Sequence, residues 1–238
     1  MATLYIVGTP IGNLEDVTLR ALRVLKEADV ILCEDTRVTQ KLLAKYEITA
    51  KQLSTYNEQE SGVTAEKIIL WLEEGKNVAL VSDAGTPGVS DPGSMLVQKA
   101  REYFQPYKVQ PFSRSKVEPF RIESVPGPSA LTAALSIAGV PAHDFVFLGF
   151  LPHKKGRETL FREIVASKRT IVFYESPHRI LKTLKSLNKF CHDKKLTITR
   201  ELTKIHEEVL SGTPAELMEF FKNNPEKVRG EFVVIVSN

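Results

Sequence analysis

The sequence predicts an α/β protein whose first half forms a mostly parallel sheet covered on both faces. Two observations carry this reading: strands and helices alternate along the first half, and three stretches, two of them beginning as apolar strands, run into loops of small or rigid residues. The most telling of the three is Val78-Ala79-Leu80-Val81, which runs into Ser82-Asp83-Ala84-Gly85-Thr86-Pro87-Gly88-Val89-Ser90-Asp91-Pro92-Gly93. Such a loop carries little side-chain bulk, so a ligand can approach its backbone closely. Leu4-Tyr5-Ile6-Val7 likewise runs into Gly8-Thr9-Pro10-Ile11-Gly12-Asn13, and Val125-Pro126-Gly127-Pro128-Ser129-Ala130 leads into a helix. At the carboxyl ends of parallel strands, loops of this kind describe a ligand crevice.

Element by element, residues 18–28 place apolar side chains at helical spacing after the first strand. Residues 30–33 are a short buried strand, followed by polar Glu34-Asp35-Thr36-Arg37 and a helix near 39–45. Residues 64–74 form an amphipathic helix closed by Gly75, whose tolerance of positive φ suits a helix C-terminus. In the second half, 145–150, 170–174, 197–200 and 232–236 read as strands, and 157–167, 178–188 and 214–223 as helices. Segment 103–124 is expected to be an extended linker or insert, because Pro106, Pro111 and Pro119 prevent a continuous helix. It divides an N-terminal α/β domain, 1–114, from a C-terminal α/β domain, 125–238.

A chain of 238 residues suits one large domain or two small ones, with ample core. Its apolar runs fall short of the roughly 20 residues that span a bilayer. The start goes straight into a strand without a basic segment and apolar stretch, and Cys33 and Cys191 suit a reducing compartment, so a cytoplasmic location is expected. A net charge of +3 permits nucleic acid as a partner without requiring it.

The motifs each admit a plain and a functional reading. The loop at 8–12 lacks the patterns of a phosphate-binding P-loop and of a dinucleotide fold, so it is either a tight turn or a wall for a nucleoside. Asp35 and Thr36 follow a buried strand, where acid/base groups often sit, yet either residue could simply cap the next helix. Cys33 reads as a small packed residue. His178 opens a helix and reads as structural or solvated, and the charged stretch 200–208 reads as a solvated face. Cys191-His192-Asp193 are too close together for a zinc site, so no metal is expected. His153-Lys154-Lys155-Gly156-Arg157 is a basic cluster suited to phosphate contacts, or an ordinary surface helix start.

Several segments together resemble one bacterial family, the ribosomal small subunit methyltransferase I group of the tetrapyrrole methylase superfamily. They are residues 4–14, Glu34-Asp35-Thr36-Arg37, Ser82-Asp83-Ala84-Gly85-Thr86-Pro87-Gly88, Val125-Pro126-Gly127-Pro128-Ser129-Ala130, Phe147-Leu148-Gly149-Phe150-Leu151-Pro152, Phe173-Tyr174-Glu175-Ser176-Pro177-His178-Arg179 and Arg200-Glu201-Leu202-Thr203-Lys204. The resemblance runs nearly end to end. It implies two α/β domains, each a mixed or mostly parallel sheet flanked by helices, with S-adenosyl-L-methionine in the cleft between them. It implies 2′-O-methylation of a cytidine in the 16S rRNA decoding region of the 30S subunit, and a homodimer.

By the same resemblance, Gly8, Pro10, Ser82, Asp83, Ala84, Gly85, Ser129 and Ala130 would line the cofactor site, with Tyr174 and Glu175 closing its other side. Two departures stand out. The family's Tyr-His-Glu-His segment is here Tyr56-Asn57-Glu58-Gln59, and 103–124 is longer than the family's usual connection. Aromatic and basic residues there, Arg114 and Lys116 among them, could form an RNA-contacting flap or a packed loop, and Lys154, Lys155 and Arg157 are separate candidates for RNA contact. A ribose hydroxyl is a weak nucleophile, so a base would help; Asp35 and Glu58 are the candidates, with Arg37 orienting ribose or phosphate. The rival readings are a tetrapyrrole-precursor methyltransferase and a non-catalytic ribosome-assembly protein.

Overall fold

The computed structural model describes residues 1–56, 63–104 and 120–237. The chain forms two compact units, Met1–Ser129 and Ala130–Asn238.

The first unit is a five-stranded parallel sheet in the order β3-β2-β4-β1-β5. The strands are β1 (Thr3–Val7), β2 (Val30–Cys33), β3 (Leu53–Thr55), β4 (Val78–Val81) and β5 (Arg121–Val125). Between them run α1 (Leu19–Glu27), α2 (Thr36–Lys45), α3 (Ala65–Glu73) and α4 (Ser94–Phe104). The strands β2 and β4 are buried throughout, because helices cover both faces. Leu4, Val30, Leu32, Val78 and Leu80 pack on one side with Ile68, Leu72 and Leu96. Ile31, Cys33, Ala79 and Val81 pack on the other with Val24, Leu25, Leu42 and Leu43. Alternate residues of one strand thus serve two cores, as the two-residue strand period requires. Thr18 and Thr64 cap α1 and α3 through their side chains.

The second unit holds α5 (Ala130–Ile137), β6 (Phe145–Phe150), α6 (Arg157–Ala166), β7 (Thr170–Glu175) and α7 (Ile180–Phe190). It continues with β8 (Lys195–Arg200), β9 (Glu208–Gly212), α8 (Pro214–Asn223) and β10 (Phe232–Ser237). Its sheet, β6-β7-β10-β8-β9, is mixed: β6 and β7 are parallel, and every other pairing is antiparallel. The antiparallel pairings leave β6, β7 and β8 running the same way, so their carboxyl ends share one edge. Thr213 and Glu216 form a reciprocal capping box on α8, with Pro214 in the first turn.

Two expectations are corrected. Residues 121–125 are not linker: they pair with β1 as the fifth strand, with Phe120 and Ile122 packed against the core, and the units divide after Ser129. Residues 105–119 of the expected insert lie outside the described residues. The charged stretch at 200–208 is a solvated face only in part: residues 205–207 are exposed, but its flanks are tied inward. Arg200 is buried and pairs with Glu208, which also meets Lys227, while Lys204 bridges Glu201 and Glu231. No helix among the described residues is long and apolar enough to cross a membrane.

Candidate functional site

In the first unit all five strands point their carboxyl ends the same way, so the loops following β1, β2, β4 and β5 gather at one edge. Thr9 and Gly85 exchange backbone hydrogen bonds, the Thr9 N–H donating at 2.8 Å and the Gly85 N–H at 3.1 Å. The buried Thr9 hydroxyl donates to the carbonyls of Ser82 and Gly85 at 3.1 and 3.3 Å. The Gly8 N–H donates to the Val125 carbonyl. Gly8 and Gly127 touch backbone to backbone: a Cβ on Gly8 would lie 2.7 Å from the Gly127 nitrogen. The three loops are therefore one main-chain assembly, and Gly8, Pro10, Ser82, Asp83, Ala84 and Gly85 belong to it. Ala84 and Asp83 are exposed on it, whereas Ser82 is buried. Ser129 follows two residues after Gly127 and is partly exposed.

The segment after β2 joins the same edge. Asp35 caps α2, accepting the Arg37 N–H at 2.8 Å, and its own N–H donates to Asp83 Oδ1 at 3.0 Å. The Arg37 guanidinium also grips the Asp35 carboxylate, with Nη2 at 2.6 Å from Oδ2. Those bonds hold the Asp35 carboxyl down at about 2. This corrects the expectation for Asp35: a carboxylate so stabilised is a poor proton acceptor, and the plain role of helix cap is the one it fills. Arg37 spends its fork on that same carboxylate. Glu58 lies outside the described residues.

The adjacent Glu34 has the opposite character, and sequence reasoning passed over it. Its carboxyl is pushed up to about 7, first by burial and then by the neighbouring Asp91 and Asp83 charges. One carboxylate oxygen, Oε1, is sealed from solvent and accepts no hydrogen bond. Asp91 is raised to about 6, again chiefly by burial, with a hydrogen bond from Ser82 partly offsetting it. The signal was present: Glu34 directly follows a wholly buried strand, so its side chain starts inside the protein. Cys33 and Cys191 are buried, and burial raises both thiols, Cys191 to about 11, which suits packing residues. Among the described residues no group of three or more His, Cys, Asp or Glu is placed to hold a metal ion.

In the second unit the expected residues fall into two sets. The Leu131 N–H, in the first turn of α5 beside Ala130, donates to the Tyr174 hydroxyl at 3.2 Å, and the Tyr174 ring meets Phe147 and Phe150 edge-on. Glu175 is fully buried, and its carboxylate is consumed internally. Arg179 Nε lies 2.7 Å from Oε1, the Thr183 hydroxyl donates to Oε2 at 2.5 Å, and the Ser176 N–H donates at 2.9 Å. Arg157, expected on RNA, is likewise buried: it donates to the Pro152 carbonyl and to Thr183 Oγ1, with its Nη2 4.0 Å from Glu175. These are corrections, since the Glu175 carboxylate and Arg157 tie the loops after β6 and β7 together from inside. Lys154 and Lys155 remain exposed on the turn before α6. Arg114 and Lys116 lie outside the described residues.

Comparison with known proteins decides the family. The model of the Tetrapyrrole (Corrin/Porphyrin) Methylases matches residues 3–218. A protein of Thermotoga maritima named "Ribosomal RNA small subunit methyltransferase I" is 44% identical over 100% of this chain and 99% of its own length. The chain belongs to the ribosomal RNA small subunit methyltransferase I family. A further family member, from Neisseria meningitidis serogroup B, is 44% identical over 98% of this chain and 75% of its own length. Solved structures share the fold beyond the family. Diphthine synthase has a TM-score of 0.69 at 13% identity, covering 100% of this chain and 90% of its own. The uroporphyrin-III-C-methyltransferase of Thermus thermophilus has 0.66 at 21%, covering 100% and 94%. At such identities they speak for the fold alone.

Proposed function

We propose that the protein is an S-adenosylmethionine-dependent methyltransferase that methylates the ribose 2′-oxygen of a cytidine in 16S rRNA. The full-length identity to relatives named for small-subunit rRNA methylation is the observation that supports this most strongly. The loop assembly at the carboxyl edge of the parallel sheet fits the cofactor. Backbone-lined loops with short side chains leave room for adenosine, and Glu34, Asp83 and Asp91 make a weakly anionic setting compatible with a sulfonium. When bound, S-adenosylmethionine supplies an activated methyl group. Gly8, Pro10, Ser82–Gly85 as far as it is exposed, and Ser129 would hold it, and the family resemblance assigns Ala130 and Tyr174 the same role.

For the proton, Glu34 replaces Asp35 as the acceptor. Its partly buried carboxylate titrates near neutrality, where a general base combines the right protonation state with useful driving force. Asp35 and Arg37, locked to each other, hold the start of α2 in place beside it. Lys154 and Lys155 offer charges for rRNA phosphate. Cytoplasmic location and a homodimer complete the reading.

Incubation with radiolabelled S-adenosylmethionine and either 30S particles or a uroporphyrinogen-type tetrapyrrole tests it. Label in 16S rRNA is expected. Label on the tetrapyrrole alone, or on neither, would overturn the reading in favour of a pigment-precursor enzyme or a binding protein.

A further inference from the structure

One strand outward from Glu34, at the carboxyl end of β3, lies an open cleft of about 480 Å³. Thr36, Ser54, Thr55, Thr64 and Lys67 line it, together with the aliphatic Leu53 and Val63. Its volume lies within the 300–1,000 Å³ typical of ligand sites, enough for a nucleotide. Among the described residues, the hydroxyls of Thr36 and Thr55 make no hydrogen bond within the chain. Among the described residues Lys67 has no carboxylate at ion-pair distance; its ammonium rests over the Trp71 ring, 5.3 Å from the centroid. Of the described acids adjoining lining residues, Asp35 is paired with Arg37 and Glu66 with Lys99. Neighbouring strands are about 4.8 Å apart. The cleft mouth is therefore one such step from the end of β2 and two, about 10 Å, from the end of β4, which Ser82 follows.

We infer that this cleft binds the ribose–phosphate backbone of a nucleotide flanking the methylated one. Lys67 and the hydroxyls of Thr36 and Thr55 would meet the phosphodiester, and Leu53 and Val63 would pack on the sugar. Hydroxyl donors beside an ammonium that no carboxylate of the described residues holds are what a phosphodiester takes from a protein that positions a strand without reading its bases. Thr36 couples the two sites directly: it lines the cleft and follows Asp35, whose N–H is fastened to Asp83 in the loop assembly. The inference rests on the reading that the substrate is RNA.

The test is binding of a fluorescein-labelled oligocytidylate by anisotropy over a series of salt concentrations. It uses the intact protein and its Lys67→Ala, Thr55→Ala and Lys26→Ala variants; Lys26 is exposed on α1, away from the cleft. S-adenosylmethionine affinity by calorimetry reports that each variant stays folded. Lys67→Ala is expected to weaken RNA binding by about three- to tenfold and to lower the salt slope by about one. Thr55→Ala should weaken it without changing the slope, and Lys26→Ala should match the wild type. Equal affinity and slope for Lys67→Ala and wild type overturn the assignment, as does a wild type that binds no RNA. A wild type that binds RNA through Lys67 yet transfers no methyl group to 30S particles leaves the cleft assigned and overturns the proposed activity instead.

Discussion

At the scale of single residues, the site is decided by two contrasts. The first is between glycine and anything larger. Gly127 would place a Cβ 2.8 Å from the Gly8 carbonyl carbon and oxygen, so the loops after β1 and β5 can touch only because both residues lack one. Gly127→Ala must push the loops apart, and a cost of about 1–3 kcal/mol is expected from overpacking. Thermal denaturation reads the stability loss, and titration with S-adenosylmethionine should show weakened binding alongside it. Unchanged melting and binding would mean that the loop contact is dispensable.

The second contrast is between neighbouring carboxylates. Asp35 is held low by Arg37 and Glu34 is held high by burial, one residue apart. The folded state therefore binds the Glu34 proton more tightly than the unfolded chain does, between the ordinary 4.5 and about 7. In that window the folded protein carries more protons, so stability falls as pH rises through it and the loss is complete above it. Asp91, raised from 3.8 to about 6, pulls the same way. Glu34→Gln removes the Glu34 part. Denaturant midpoints should be equal for variant and wild type below pH 4.5 and higher for the variant at pH 8. A variant less stable at pH 8 would show that Glu34 is not a strained, buried acid.

At the scale of elements, the second unit trades expected surface function for internal bracing. Glu175, Arg157, Arg179 and Thr183 fasten the ends of β6 and β7 to α6 and α7 in one buried network. Removing one partner of such a network strands the others, at a cost of about 3–5 kcal/mol. Glu175→Gln should lower the denaturation midpoint accordingly, whereas Lys155→Ala on the exposed turn should stay within about 0.5 kcal/mol of wild type. If both variants behave alike, the network contributes little. The sequence carried the strands and helices here through periodicity, but Arg157 and Arg200 read as surface residues. A charge's burial depends on what distant segments bring beside it, and Glu175 and Glu208 are 18 and 8 positions away. Strand β5 was hidden for a related reason: the prolines before it marked a break, and its alternation over 121–125 is too short to outweigh them.

At the scale of the whole molecule, the alternating strands, the three loops and their shared edge were all legible, because each follows from local pattern and from the rule that parallel strands point their ends one way. Which carboxylate could take a proton was not legible. Asp35 and Glu34 look alike in sequence and differ only in what folds around them. Family membership makes the chain one of the ribosomal RNA small subunit methyltransferase I group, and the proposal that follows from it comes down to a single chemical product. The most direct test is mass spectrometry of nucleosides from 16S rRNA after incubation of unmodified 30S subunits with the protein and S-adenosylmethionine. The account predicts one new 2′-O-methylcytidine, formed by the wild type and slowed by a factor of about 10²–10⁴ in Glu34→Gln. A base-methylated nucleoside, no new nucleoside, or an undiminished rate in the variant would contradict it.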